Sequence, residues 1–220
     1  MLCEPAPAIT DLVLGLVTLA MGFTVRARTE VHRYWLLTFW WSGTAAVAGF
    51  VHHGWITCSD TWSGPSWAII SGMVVVAISY LLAATVIEVL GPGRGRVFWV
   101  LRSASLAAYA VVALTGHAGV NAILLCEGVT MIAILALWFS AAARGMPMAR
   151  PVCLALIASG AAAGFRAMPA TWTEVVGLDP TSAYHLAQIP GIVLLARALL
   201  MRASEPGTRR AAYPASDVSA

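Results

Sequence analysis

The chain has 220 residues, 60% of them hydrophobic and 10% charged, with a formal net charge of +3 and a mean hydropathy of +0.81. No soluble fold of this size would hide so much apolar surface, so composition points to a membrane protein. All 13 basic residues are arginines, and their clustering in alternate loops makes the positive charge a topology signal, leaving a nucleic-acid role without support.

Seven apolar segments follow one another, each near the roughly 20 residues that cross a bilayer as a helix. They are Ile9–Val25, Tyr34–Trp55, Trp67–Leu90, Val97–Leu114, Val120–Ala141, Val152–Phe165 and Ala183–Met201. Lipid offers no partner to free backbone groups, so each segment is read as a helix. The expectation is an all-α, seven-helix transmembrane bundle in one domain, residues 1–202. A polar tail rich in Pro, Ser and Ala, residues 203–220, is expected to be disordered and cytoplasmic.

Ahead of the first segment, MLCEPAPAITD carries no basic residue and does not read as a secretory signal. The following loop holds Arg26, Arg28 and Arg33. Arg94 and Arg96 follow the third segment, Arg144 and Arg150 the fifth, and Arg202, Arg209 and Arg210 the seventh. Opposite connections hold almost none. The N-terminus is therefore expected outside and the C-terminus in the cytoplasm of a multi-pass cell-membrane protein. Cys126 and Cys153 fall inside spans as small packing residues. Cys3 and Cys58 fall on the outer side, where a disulfide can form if that compartment oxidises. Retinal chemistry is closed, because no lysine is present to form a Schiff base.

Polar groups gather toward the outer ends of these segments. Glu4 and Asp11 lie at the first, His52 and His53 at the second, with Asp60 in the loop beyond. His117 ends the fourth, Asn121 and Glu127 lie in the outer half of the fifth, and Arg166 ends the sixth. Asp179, Tyr184, His185 and Gln188 open the seventh. The inner half holds mainly arginines near interfaces, where they can snorkel, and Glu88. Ionisable groups within a membrane are costly and mark functional sites by default. Glu127 is either such a site or one half of a structural ion pair, with Arg166 as the partner. His185 and Gln188 share a helix face by their i, i+3 spacing, whereas Tyr184 points elsewhere. His52 and His53 diverge by about 100° on a helix, so one faces inward. Gly54 favours His53, and His52 stays the alternative. Asp11 either caps the first helix together with Thr10 or joins the polar group. The segment around Glu4-Pro5 is expected to be too proline-rich for helix. The sixth segment, with its ASGAAAGF run, is read as a tight packing surface.

Histidines with a carboxylate are the usual ligands of zinc, and a catalytic zinc lowers the pKa of its water towards neutral. The metal candidates are His53, His185 and His52, and the catalytic carboxylates Glu127 and Asp60. Glu4, Asp11, His117, Asn121, Arg166, Asp179 and Gln188 complete the expected pocket. No HExxH or CxxC spacing is present. Two histidines on different helices would also suit axial haem ligation, and a hydrogen-bonded cap holding the helices in register would need no ligand.

The stretches CEPAPAITD, GFVHHG and SAYHLAQ resemble those of the seven-helix membrane hydrolases that include alkaline ceramidases and adiponectin receptors. They resemble more closely, over most of the chain, an uncharacterised bacterial seven-helix family with an EP…TD start and a YHxxQ-type opening to the last helix. The ceramidase-type resemblance implies zinc held by one histidine of helix 2, matched by His53, and two of helix 7, of which His185 matches one. Thr181 and Ile189 stand where a second helix 7 histidine would be, Gly49 stands at the helix 2 serine, and Asp60 precedes the expected aspartate. His52, His117, Glu127 or Asp179 would then complete the zinc set. The leading functional expectation is a zinc-dependent hydrolase of a lipid amide or ester, working on membrane lipids or a small molecule. The alternative is a non-enzymatic sensor, ligand binder or scaffold.

Overall fold

A computed structural model describes residues 1–112, 114–115, 120–167, 169–173 and 177–203. The described residues are helical, with no strand among them. The order is α1 (Pro5–Arg28), α2 (Arg33–Val51), a π-helical turn (His52–Ile56), α3 (Ser63–Leu90), a 3-10 turn (Pro92–Arg94), α4 (Gly95–Val112), α5 (Val120–Ala143), α6 (Ala149–Ala167), the single turn α7 (Ala170–Thr173) and α8 (Pro180–Ala203). Each of the seven apolar segments thus coincides with one long helix. Four helices, α1, α3, α5 and α8, are long and apolar enough to cross a membrane. The other three are shorter, at 19, 18 and 19 residues for α2, α4 and α6, and carry arginines. The tail beyond Ala203 lies outside the described residues.

The first helix begins four residues earlier than expected, at Pro5. Proline breaks a helix interior, but in the first turn its missing N–H costs nothing and its fixed φ suits the helix. Pro5 and Pro7 both fall in that turn. Asp11 consequently sits nearly two turns into α1 and cannot cap it. Glu4 holds the cap position, yet its side chain makes no capping bond and is used elsewhere.

The helices close into a ring. Helix α1 packs on α2, α2 on α3, α3 and α4 on α5, α5 on α6, and α6 on α8, which returns to α1. Glycines set the closest approaches. Gly15 of α1 and Gly43 of α2 face each other's backbones, so a Cβ on Gly15 would lie 3.1 Å from the Gly43 carbonyl oxygen. At Gly191 of α8, just after Pro190, a Cβ would collide with the Ser159 hydroxyl of α6. Small residues of this kind let helices associate through backbone proximity where lipid supplies no hydrophobic drive. The ASGAAAGF run of α6 contributes Ser159 to that contact.

The apolar core lies toward the end that carries the arginine-rich loops. Trp35, Phe39, Leu82, Ile134, Trp138 and Leu199 are fully buried there. Trp35 and Trp138 stack at 6.2 Å between centroids, and the Trp138 indole donates to the Thr85 hydroxyl at 3.0 Å. The opposite end is polar inside. It is organised by the position of α1 between α2 and α8, which brings the beginnings of α1 and α8 beside the end of α2.

Candidate metal centre

Three side chains from three helices meet at that polar end. Asp11 of α1, His53 of the π-turn and His185 of α8 each offer a ligand atom, and these atoms all lie within 4.8 Å of one another. His185 Nε2 is 3.3 Å from Asp11 Oδ1, and His53 Nε2 is 3.9 Å from Asp11 Oδ2. The two imidazole centroids are 6.1 Å apart. Asp11 and His185 are buried, and the His53 side chain is 12% exposed.

Local structure explains each placement. After Val51 the α-helix widens into a π-helical turn, a form that often occurs at functional sites because it re-aims side chains. The carbonyls at the end of this turn lack helical partners. The N-terminal segment supplies them: Cys3 N–H donates to Gly54 O at 2.8 Å, and Glu4 N–H to His53 O at 2.9 Å. A Cys3–Cys58 disulfide, with 5.9 Å between Cα atoms, joins the same segment to the turn beyond. Glu4 is thereby held against His53, its Oε2 2.5 Å from Nδ1. One helical turn before His52, Gly49 is required because a Cβ there would occupy the space of the Asp11 carboxylate.

The hydrogen-bond network assigns the imidazole protons. A carboxylate can only accept, so His53 Nδ1 donates to Glu4. Thr10 directs its single hydroxyl hydrogen at the carbonyls of Ala6 and Pro7, at 2.9 and 3.1 Å. Its oxygen is left to accept from His185 Nδ1 at 3.1 Å. When neutral, both rings therefore turn unprotonated Nε2 atoms toward the Asp11 carboxylate. Three acceptors facing one another repel unless a cation or added protons lie between them. Outer acceptors that fix a histidine's tautomer are also the usual companions of a ligating ring. A tetrahedral zinc with bonds of about 2.0–2.2 Å would hold its donors roughly 3.3–3.6 Å apart. The Asp11–His185 separation already matches, and the other two need a movement of about 1 Å or less. The Asp11/His53/His185 group can hold a metal ion.

Other expected residues lie elsewhere. His52 does not join the group: its Nδ1 meets Ser66 Oγ at 2.7 Å and its Nε2 meets Thr57 Oγ1 at 3.2 Å. The neighbouring-residue divergence expected of a helix accounts for this, with His53 facing in and His52 facing α3. Asp60 is exposed in a turn, outside the cluster. Asp179 caps α8: its Oδ1 accepts from Thr181 N and Ser182 N at 2.9 and 3.0 Å, and its Oδ2 from the Ser182 hydroxyl. Burial opposes ionisation there, but these hydrogen bonds outweigh it and hold the carboxyl below the usual carboxylate range. Arg166 is exposed at the end of α6, outside the cluster. The Tyr184 ring lies 5.5 Å from that of its chain neighbour His185. Gln188 is half-buried one turn beyond His185. His117 and the side chain of Asn121 lie outside the described residues.

Glu127 belongs to a second buried group, and its partner is Arg102 of α4 rather than Arg166. Arg102 Nη2 is 3.3 Å from Glu127 Oε1 and 3.1 Å from the Val75 carbonyl of α3. Its Nη1 donates to Ser105 Oγ at 3.0 Å and Thr130 Oγ1 at 3.1 Å. With Cys126 beside them, these groups bind α3, α4 and α5 through a hydrogen-bonded ion pair with side chains 4% and 8% exposed. The carboxylate is paired within this group and lies outside the Asp11/His53/His185 cluster. Sequence reading missed Arg102, Thr10 and Ser66. An arginine five residues inside an apolar span was the available signal for the first, since such a group needs a partner. The two hydroxyl residues carry no comparable mark.

No curated protein and no solved structure is detectably similar to the chain. The model of a family of unknown function (DUF6962) matches residues 6–204, nearly the whole length, and the chain belongs to that family.

Proposed function

We propose that this is a multi-pass membrane hydrolase whose metal centre, built from Asp11, His53 and His185, faces the outer leaflet and cleaves a lipid ester or amide. The observation that carries the reading is the convergence of two outward-tethered imidazoles on one buried carboxylate. Asp11, His53 and His185 would hold a zinc (Zn) ion with three protein ligands, the number found in catalytic rather than structural sites. A zinc bound there supplies Lewis acidity and a water of near-neutral pKa. In the overall reaction, water's oxygen bonds to the carbonyl carbon, the carbon–oxygen or carbon–nitrogen bond breaks, and the leaving alcohol or amine takes up a proton.

Several features support the outer location. Arg26, Arg28, Arg94, Arg96 and Arg144 lie at the end of the bundle away from the site, as cytoplasmic arginines do. A disulfide beside the site suits an oxidising compartment. Trp55 and Trp62, 53% and 65% exposed, stand at the site end, where an interfacial aromatic belt forms. In this reading α2, α4 and α6 cross the membrane beside the four more apolar helices, for seven crossings.

The reading is tested with zinc-loaded protein in vesicles that contain ester-linked phospholipid and amide-linked sphingolipid. Release of fatty acid, stopped by a chelator and lost in His185→Ala, is expected. Stoichiometric zinc with no fatty acid above the His185→Ala background would identify a non-enzymatic metal-binding protein instead.

A further inference from the structure

We propose that the Cys3–Cys58 disulfide is a redox lock on the metal centre: it holds Glu4 on His53, and its reduction weakens metal binding. The inference rests on the metal reading given above and adds a means of regulating it.

The disulfide, the backbone clamp and the tether on His53 involve successive residues. Cys3 forms the disulfide, and its N–H donates to Gly54 O. Glu4, the next residue, donates its N–H to His53 O and accepts from His53 Nδ1 with its carboxylate. The segment lies ahead of α1, which starts at Pro5 and holds it only through Glu4, whose carbonyl accepts from Ala8 N–H at 3.1 Å. The Glu4 side chain is 44% exposed, so water competes for its carboxylate and burial alone does not fix it. Three backbone hydrogen bonds, two to the π-turn and one from Ala8, and one covalent bond do. Of these the covalent bond alone can be switched chemically, and Cys58 lies on an exposed turn where a reductant can reach it.

Reduction breaks one S–S bond. A dithiol reductant supplies two electrons and two protons, becomes a disulfide itself, and leaves Cys3 and Cys58 as thiols. The N-terminal segment is then held to the π-turn by two hydrogen bonds and the packing of Leu2 near Gly54. Once Glu4 leaves, His53 Nδ1 has no fixed acceptor, its tautomer is no longer set, and Nε2 is a poorer ligand. Loss of such an outer partner typically costs 10–100-fold in metal affinity. Glu4 is in these terms a positioning residue for His53, and the disulfide positions Glu4.

The test is zinc titration of the full-length protein in detergent, before and after treatment with a phosphine reductant, which is oxidised to its oxide and competes little for metal. Reduction is expected to weaken zinc binding about 10-fold or more, with helical content unchanged by circular dichroism. A Cys3→Ser/Cys58→Ser double variant should match the reduced protein, and reduction should then have no further effect. Glu4→Gln should weaken binding with the disulfide intact, and reducing that variant should add little. Unchanged affinity after complete reduction overturns the lock while leaving the metal centre standing. No zinc binding in either redox state overturns the metal centre and the lock together. Equal, additive losses from Glu4→Gln and from reduction would also overturn it, because the disulfide would then act through something other than Glu4.

Discussion

His185 Nε2 lies 3.3 Å from Asp11 Oδ1, across the contact between the last long helix and the first. That pairing exists because α1 sits between α2 and α8, so the ring of helices closes at the site. The imidazole is fixed from behind by Thr10, which belongs to the same turn of α1 as Asp11. Replacing His185 by Ala removes one of the three candidate ligand atoms. Zinc affinity is expected to fall at least about 100-fold, the upper end of what losing an outer partner costs, while circular dichroism shows an intact helical protein. Retained affinity would take His185 out of the site.

His52 and His53 are adjacent but do different work, and substituting each separates them. His52→Ala takes the ring partner from half-buried Ser66 and Thr57, at a cost of about 0.5–1.5 kcal/mol for each hydrogen bond lost. Thermal unfolding in detergent should show that loss with zinc stoichiometry unchanged. His53→Ala should show the reverse pattern, with metal lost and thermal stability close to that of the chelated wild-type protein. If His52→Ala abolished metal binding, the orientation of the two rings would be contradicted.

Gly49 tests the space around the carboxylate. A methyl group at this position would displace Asp11 from its place against α2. Gly49→Ala is therefore expected to weaken zinc binding about as much as Asp11→Asn, although it removes no ligand. Full metal binding by Gly49→Ala would mean that Asp11 has another route to the ion.

The Arg102–Glu127 pair should behave as structure. Glu127→Leu leaves a buried guanidinium uncompensated, which typically costs about 3–5 kcal/mol. The double variant Arg102→Met/Glu127→Leu removes both charges and should be less destabilised than either single change. Zinc content should be normal in the double variant. A loss of metal or of lipid hydrolysis there, in protein of normal stability, would return Glu127 to a chemical role.

Asp179 gives a pH signature at the start of α8. Its carboxyl is held below the usual range in the folded protein, so its stabilising contribution is present at neutral pH and is lost as pH falls through that lowered value, below about 3.9. Asp179→Ala should cost about 1 kcal/mol near pH 7 and progressively less in acid. A difference that persists unchanged at low pH would show that the carboxylate is not the cap.

The helical segments were legible because lipid imposes one rule on all of them: apolar stretches of about 20 residues become helices. Their ends were less so. Pro5 and Pro7 read as helix breakers, whereas the first turn tolerates both. That shift moved Asp11 from a capping position to a buried one. His53 and His185 were legible as polar groups at segment ends, and Gly54 favoured His53, whose ring lies beside Asp11. What remained hidden was pairing across the ring. Nothing local to Glu127 distinguishes Arg102 from Arg166 as its partner, since the choice depends on α4 rather than α6 presenting its side chain at that depth. The π-turn was equally hidden, because Gly49 and Gly54 of GFVHHG weaken a helix without announcing a widened turn.

Elemental analysis of the purified full-length protein tests the metal centre most directly. One divalent metal ion per chain, removed by a chelator with a fall in thermal stability and absent from the Asp11→Ala/His185→Ala double variant, is the predicted result. Metal at background level after incubation with zinc, together with stability that chelation leaves unaltered, would contradict it.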